Sequence, residues 1–206
     1  MDSELLRIFD SNHEPIGEAT REEVHTKGLW HETFHCWLVS KIGGQNYLYF
    51  QLRSACKKDY ASQFDITAAG HLLANERAED GIRELQEELG LPLKASDLKK
   101  LGVFETRIQQ PSIIDLEFAH VYYVARDADF EGFHLQEEEV AGIVCAELGA
   151  VQDFYSGRSN TLYVEGFEVI ESGEKIALSK NATYADFVGY NTSYMENVLA
   201  KLHEVL

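Results

Sequence analysis

Gly70-His71-Leu72-Leu73-Ala74-Asn75-Glu76, separated by six residues from Arg83-Glu84-Leu85-Gln86-Glu87-Glu88-Leu89-Gly90-Leu91, sets a dense carboxylate cluster between two glycines. An α-helix turns about 100° per residue, so Glu84, Glu87 and Glu88 share one face while Ile82, Leu85 and Leu89 share another. One face is core and the other is site. Like charges at i,i+3 and i,i+4 repel by a few tenths of a kcal/mol per pair, so three stacked glutamates need an external reason, and a divalent cation supplies one. Mg²⁺ takes one or two carboxylates, several waters and substrate phosphate oxygens, and Mn²⁺ accepts the same donors. The expected substrate is therefore a small phosphorylated molecule. A solvated acidic helix face is the ordinary alternative. Gly70, Arg83 and Gly90 falling in the same pattern weigh against it.

Composition narrows the field. The chain has 206 residues, 45% of them hydrophobic, and a formal net charge of −17. Its length makes one domain the default. So acidic a surface argues against a nucleic-acid polymer or an anionic membrane as partner, because both need a basic surface. No apolar run approaches the ~20 residues that cross a bilayer. Met1-Asp2-Ser3-Glu4 carries no signal-like segment, so the expected location is the cytoplasm. The cysteines, Cys36, Cys56 and Cys145, are odd in number and lack metal-ligand spacing, so reduced, mostly buried thiols are expected.

Outward from the cluster, the chain alternates short strands with few helices. Residues 5–10 and 16–19 read as a hairpin, and Thr20 as the N-cap of a short helix that stops near Gly28. Residues 34–41 and 47–53, joined by Ile42-Gly43-Gly44-Gln45, form the clearest hairpin, and 64–69 is a strand leading into the cluster. Residues 101–109 and 116–124 are strands split by Gln110-Pro111-Ser112; 140–146 is another, and a helix begins at 148. Without a regular βαβ alternation, this order favours a mixed sheet flanked by helices. Beyond about 156 the signal stops, except for apolar spacing over 184–206 that fits a helical tail for packing or for a homodimer contact.

The segment 70–91 resembles the Nudix box, whose usual form is Gly, five residues, Glu, seven residues, then Arg-Glu-apolar-any-Glu-Glu-any-Gly-apolar. This chain has six residues where the box has seven, which puts the role of Glu76 in question. The resemblance implies a Nudix-like α/β/α sandwich with a mixed sheet, an N-terminal hairpin and a C-terminal helical extension. The whole chain is expected to be one domain, with its core at about 30–155 and the extension at 156–206. It also implies that Glu84, Glu87 and Glu88 hold the metal, that Arg83 orients a neighbouring carboxylate, that Gly70 turns the backbone before the helix and that Gly90 ends it.

Within that superfamily, residues 5–125 look most like the branch of type 1 isopentenyl-diphosphate isomerases and their hydrolase relatives. The run Arg21-Glu22-Glu23-Val24-His25 with Leu29-Trp30-His31 resembles the paired histidines that precede the first core strand there. Arg53 and Lys57-Lys58 sit where the isomerases place cations against the diphosphate. Ala69-Gly70-His71 occupies the place of their Cys-Gly-His, and Asp115-Leu116-Glu117 that of their Glu-any-Glu. The resemblance thus implies His25, His31, His71, Asp115 and Glu117 as a second metal set; scaffolding histidines, bonded to carbonyls or carboxylates without a common centre, are the expectation here. Ala69 has no proton to give where the isomerases use a cysteine, while the box keeps its carboxylates, so hydrolysis is favoured. The expected reaction is metal-dependent cleavage of a diphosphate linkage in a nucleoside diphosphate derivative, with Arg53 and Lys57 binding phosphate. The general base is left open among the box glutamates, Glu117, Glu138 and Glu139. An isomerase of a small prenyl diphosphate and a non-catalytic nucleotide-binding module are the rivals.

Overall fold

The computed structural model describes residues 4–110, 113–127 and 130–206, without the side chain of Gln110. Its hub is one long strand, β3 (Trp30–Ile42), which alternates side chains between two faces. Before it come β1 (Leu5–Phe9), β2 (Pro15–Thr20) and helix α1 (Arg21–Lys27), the expected hairpin and helix. Thr20 caps α1 in a reciprocal capping box with Glu23, and Gly28 ends it in the left-handed conformation. Gly43 and Gly44, both at positive φ, then turn β3 into β4 (Gln45–Arg53).

One edge of β3 pairs with β8 (Ile113–Ala125) in parallel; the other meets β1, β6 (Ala68–His71) and β4 in turn, all antiparallel. β7 (Lys99–Gln110) lies outside β8, and β5 (Phe64–Ile66) and β9 (Val140–Glu147) both pair with β4. One parallel pair in an otherwise antiparallel ladder is the mixed sheet expected. The strand read at 64–69 is two strands on different partners, and the Thr67 hydroxyl occupies the break, donating to the Tyr49 carbonyl and accepting from the Leu38 amide. Pro111 and Ser112, expected to split β7 from β8, lie outside the described residues, as do Met1, Asp2 and Ser3.

Two layers of helix cover the sheet. Phe34, Cys36 and Leu38 pack with Leu85 and Leu89 of α2 (Arg83–Leu89), the helix of the carboxylate cluster. Trp37 and Val39, on the opposite face, pack with α3 (Leu148–Tyr155) and α4 (Thr192–Val205) through Leu148, Val151, Phe154, Tyr194, Val198 and Leu202. The stretch after 156 departs from a purely helical tail: β10 (Leu162–Val169) and β11 (Lys175–Ala182) extend the sheet beyond β9 before α4 closes the core. The cysteines are free, with Cys36 and Cys145 buried and Cys56 exposed. No helix among the described residues is long and apolar enough to cross a membrane.

Candidate active site

Strand β6 delivers Gly70 and His71 to one end of the sheet, and α2 brings its glutamates back against them. Leu85 and Leu89 are fully buried and fix the roll of the helix. That roll turns Glu84 and Glu88 inward, both less than 10% exposed, and leaves Glu87 outward. A β-carbon on Gly70 would sit 2.2 Å from Glu84 Oε1, so the glycine is the floor on which that carboxylate rests. Burial and the neighbouring Glu87 push the Glu84 carboxyl up to about 7 against the pull of Arg83. Glu88 lies well above its usual range through burial and the charges of Glu84 and Glu139. Its Oε2 is buried without a hydrogen-bond partner. Two crowded inward carboxylates, one holding an unanswered oxygen, form a donor set that suits a hard divalent cation.

Arg83 ties the cluster together. Its Nε donates to Glu76 at 2.8 Å, one Nη lies 2.6 Å from Glu84 and 3.2 Å from Glu87, and the other donates to the His71 carbonyl. Glu76 therefore keeps a partner although the segment is one residue short. Residues Ala78–Ile82 form a 3₁₀ turn, which rises about 2.0 Å per residue against about 1.5 Å in an α-helix, so fewer residues span the same gap. Glu76 also accepts the Leu73 amide at 2.8 Å, fixing the loop before that turn.

Arg53 donates to Asp65 at 2.8 Å and to the Asp59 carbonyl, while Lys57 pairs with Glu139 beside Glu88. Of the three candidate bases outside the box, Glu139 is the one placed at the α2 carboxylates: Glu138 is exposed, and Glu117 is buried against Thr106 and His35. Composition and spacing gave no sign of Asp65. A charge between Phe64 and Ile66 in an apolar strand was the available signal for Asp65, which also accepts from Tyr190. Tyr60, in the loop after β4, sits at φ 55 with its hydroxyl buried and unpartnered.

The histidines lie on the other face. His31 belongs to β3 rather than preceding it, and His25, His31 and His71 offer ligand atoms within 4.8 Å of one another, as do His31, Asp115 and Glu117. Nδ1 of His25 donates to the Arg21 carbonyl and Nδ1 of His31 to that of Leu29, the bonds scaffolding requires. Those bonds leave both Nε2 atoms as lone pairs, and they converge: His25 Nε2 lies 3.2 Å from His71 Nε2, and His31 Nε2 lies 3.5 Å from Asp115 Oδ1. The last two atoms are buried and unpartnered. Burial pushes His31 down to about 4 and His71 well below the usual range, keeping both rings in the neutral form. Asp115 is raised by burial and by Glu117. Carbonyl bonds on one nitrogen and a shared centre at the other is how metal-binding imidazoles are held.

No family model matches the chain. It is 39% identical over 202 residues to an uncharacterized Nudix hydrolase of Clostridium acetobutylicum, across 98% of both proteins. The chain belongs to the Nudix hydrolase family. A 121-residue part, 58% of the chain, is 31% identical to isopentenyl-diphosphate Delta-isomerase 2 of Photorhabdus laumondii and spans 65% of that enzyme. A solved protein of Deinococcus radiodurans shares the fold, with a TM-score of 0.56 at 19% identity over 75% of this chain and 90% of that one. The chemistry of this family member is hydrolysis of a phosphorus anhydride.

Proposed function

We propose that this Nudix hydrolase cleaves a diphosphate linkage in a nucleoside diphosphate derivative and depends on Mg²⁺ or Mn²⁺ held by Glu84, Glu87 and Glu88. The observation that carries the reading is the inward pair Glu84 and Glu88, crowded on Gly70 and Arg83, with Glu88 Oε2 unanswered. A divalent cation bound there polarises phosphoryl oxygens, templates the diphosphate and acidifies water. Arg83 holds Glu76, Glu84 and Glu87 in place through its fork of donors. Lys57 turns from Glu139 to a substrate phosphate, which frees Glu139 to accept a proton from the attacking water as the P–O bond to the leaving group breaks. Arg53, anchored by Asp65, stays as a fixed positive charge at the rim.

A second reading has its own observation. The convergent lone pairs of His25 and His31 with Asp115 favour a second metal centre completed by His71 and Glu117, as in an isomerase of a prenyl diphosphate. Ala69, opposite His35 on β3, supplies no acid for that reaction, so hydrolysis remains the proposal.

A phosphate-release screen over nucleoside diphosphates, sugar nucleotides, dinucleoside polyphosphates, NADH, FAD and CoA tests it. Turnover should require Mg²⁺ or Mn²⁺ and fall by on the order of 100-fold or more in Glu87→Gln and Glu88→Gln. Without metal, Glu88→Gln should melt no lower than the parent, because it removes a buried, repelled carboxylate. Equal turnover in parent and variants rejects the assignment, and dimethylallyl product from isopentenyl diphosphate selects the second reading.

A further inference from the structure

His31 and Glu32 are neighbours on β3 and point to opposite faces, so Glu32 stands apart from the set of His25, His31 and His71. One oxygen of Glu32, Oε1, lies 2.9 Å from His13 Nε2 and 2.8 Å from His120 Nε2. The three ligand atoms fall within 4.8 Å of one another, with the imidazole centroids 6.2 Å apart and the rings inclined by 57°. The three residues come from the β1–β2 turn, from β3 and from β8, distant stretches of the chain brought to one point.

The local structure is arranged around that convergence. Asp10 organises the turn by accepting the amides of Asn12 and Glu14 on one carboxylate oxygen. His13 takes a left-handed conformation, φ 63, that a β-carbon disfavours. Its ring stacks on Phe118 at a centroid distance of 4.0 Å, which aims Nε2 at Glu32. His120 is nearly buried, and its Nδ1 has no partner. A strained histidine and one carboxylate oxygen met by two imidazole Nε2 atoms, all drawn from distant stretches of the chain, make a ligand set.

We propose that His13, Glu32 and His120 form a binding site for a borderline divalent cation of the Zn²⁺ class, separate from the Nudix box. Two imidazoles and one carboxylate suit Zn²⁺ better than Mg²⁺, which prefers oxygen alone. Ligand atoms on a tetrahedral Zn²⁺ stand about 3.3 Å apart at bonds of about 2.05 Å, so the present contacts need to open by roughly 0.5 Å. The His13 turn, whose side chain is 32% exposed, has that freedom, and its open side admits water as a fourth ligand. Each ring binds through Nε2 as the neutral tautomer with its proton on Nδ1, and Glu32 binds as carboxylate.

The ion would rivet the N-terminal hairpin to the loop ahead of the Nudix helix. The Glu32 carbonyl accepts the Leu72 amide, Leu5 accepts the Ala74 amide, and Arg7 donates to the Ala74 carbonyl. Glu76, the partner of Arg83, sits at the end of that loop.

The test is Zn²⁺ stoichiometry by equilibrium dialysis in excess Mg²⁺, for the parent and for His13→Asn, since asparagine tolerates the left-handed turn and removes the imidazole. Both are repeated in a His25→Ala background, to separate this site from the histidines on the other face. The parent should bind one equivalent more than His13→Asn in each background, and Zn²⁺ should raise the melting temperature of the parent more than that of the variant. His120→Gln should lose the same equivalent. Equal stoichiometry in parent and His13→Asn overturns the proposal. Mg²⁺-dependent turnover of His13→Asn should match the parent, so the zinc count stands or falls independently of the hydrolase reading.

Discussion

A β-carbon built on Gly70 lies 2.2 Å from Oε1 and 2.4 Å from the carboxyl carbon of Glu84, whereas one on Gly81 lies 2.4 Å from both the Cβ and the Cγ of Phe34. The first clash is with the tip of a flexible side chain, which can swing aside; the second is with the root of a buried ring, which cannot. Gly70→Ala is therefore expected to stay within ~1 kcal/mol of the parent in stability yet lose on the order of 100-fold in kcat, because Glu84 is displaced. Gly81→Ala should lose ~1–3 kcal/mol. Denaturant unfolding beside steady-state turnover checks both, and a Gly70→Ala enzyme with full activity would remove Gly70 as the support of Glu84. At this scale helical register gave the inward turn of Glu84 and Glu88, but it put Glu87 on the same face, and the structure leaves Glu87 exposed. The pairing of Glu76 with Arg83 was not legible, because it depends on a 3₁₀ turn that spacing rules for an α-helix do not anticipate.

Helix α1 shows which elements are readable from sequence. Its signals are local: Thr20 accepts the Glu23 amide at 3.3 Å, Glu23 reaches back to the Thr20 amide at 3.4 Å, and Gly28 follows at φ 63. Strands β10 and β11 were missed because their evidence is distant. β10 is held by β9 and β11 rather than by its own pattern, Gly166 interrupts its alternation, and β11 is a mostly exposed edge. The same locality gives a prediction for α1, which carries His25 on its last turn. Thr20→Ala should cost ~1 kcal/mol, seen as a lower melting temperature, and should speed hydrogen exchange at the Glu23 amide while amides of β8 exchange as before. Unchanged exchange at Glu23 would show that tertiary contacts, not the cap, hold the helix start.

Across the whole molecule, the C-terminal helix joins the buried histidines of the sheet through Tyr194. Tyr194, fully buried on α4, places its hydroxyl 2.8 Å from His35 Nδ1, and His35 Nε2 lies 3.5 Å from Glu117, which accepts from the Thr106 hydroxyl at 2.7 Å. The expected tail thus has more than a packing role: it closes a buried polar chain running from α4 through β3 to β8. Removing the hydroxyl leaves His35 Nδ1 buried and unanswered, so Tyr194→Phe should cost ~1–3 kcal/mol although it creates almost no cavity. Tyr190→Phe is the control, because Asp65 keeps Arg53 and the Ile66 amide when the Tyr190 hydroxyl is lost, and it should cost ~1 kcal/mol or less. Urea unfolding with an unchanged m-value separates these effects from a change in compactness. If Tyr194→Phe proves no more costly than Tyr190→Phe, α4 contributes apolar burial alone and the chain to Glu117 carries no energy.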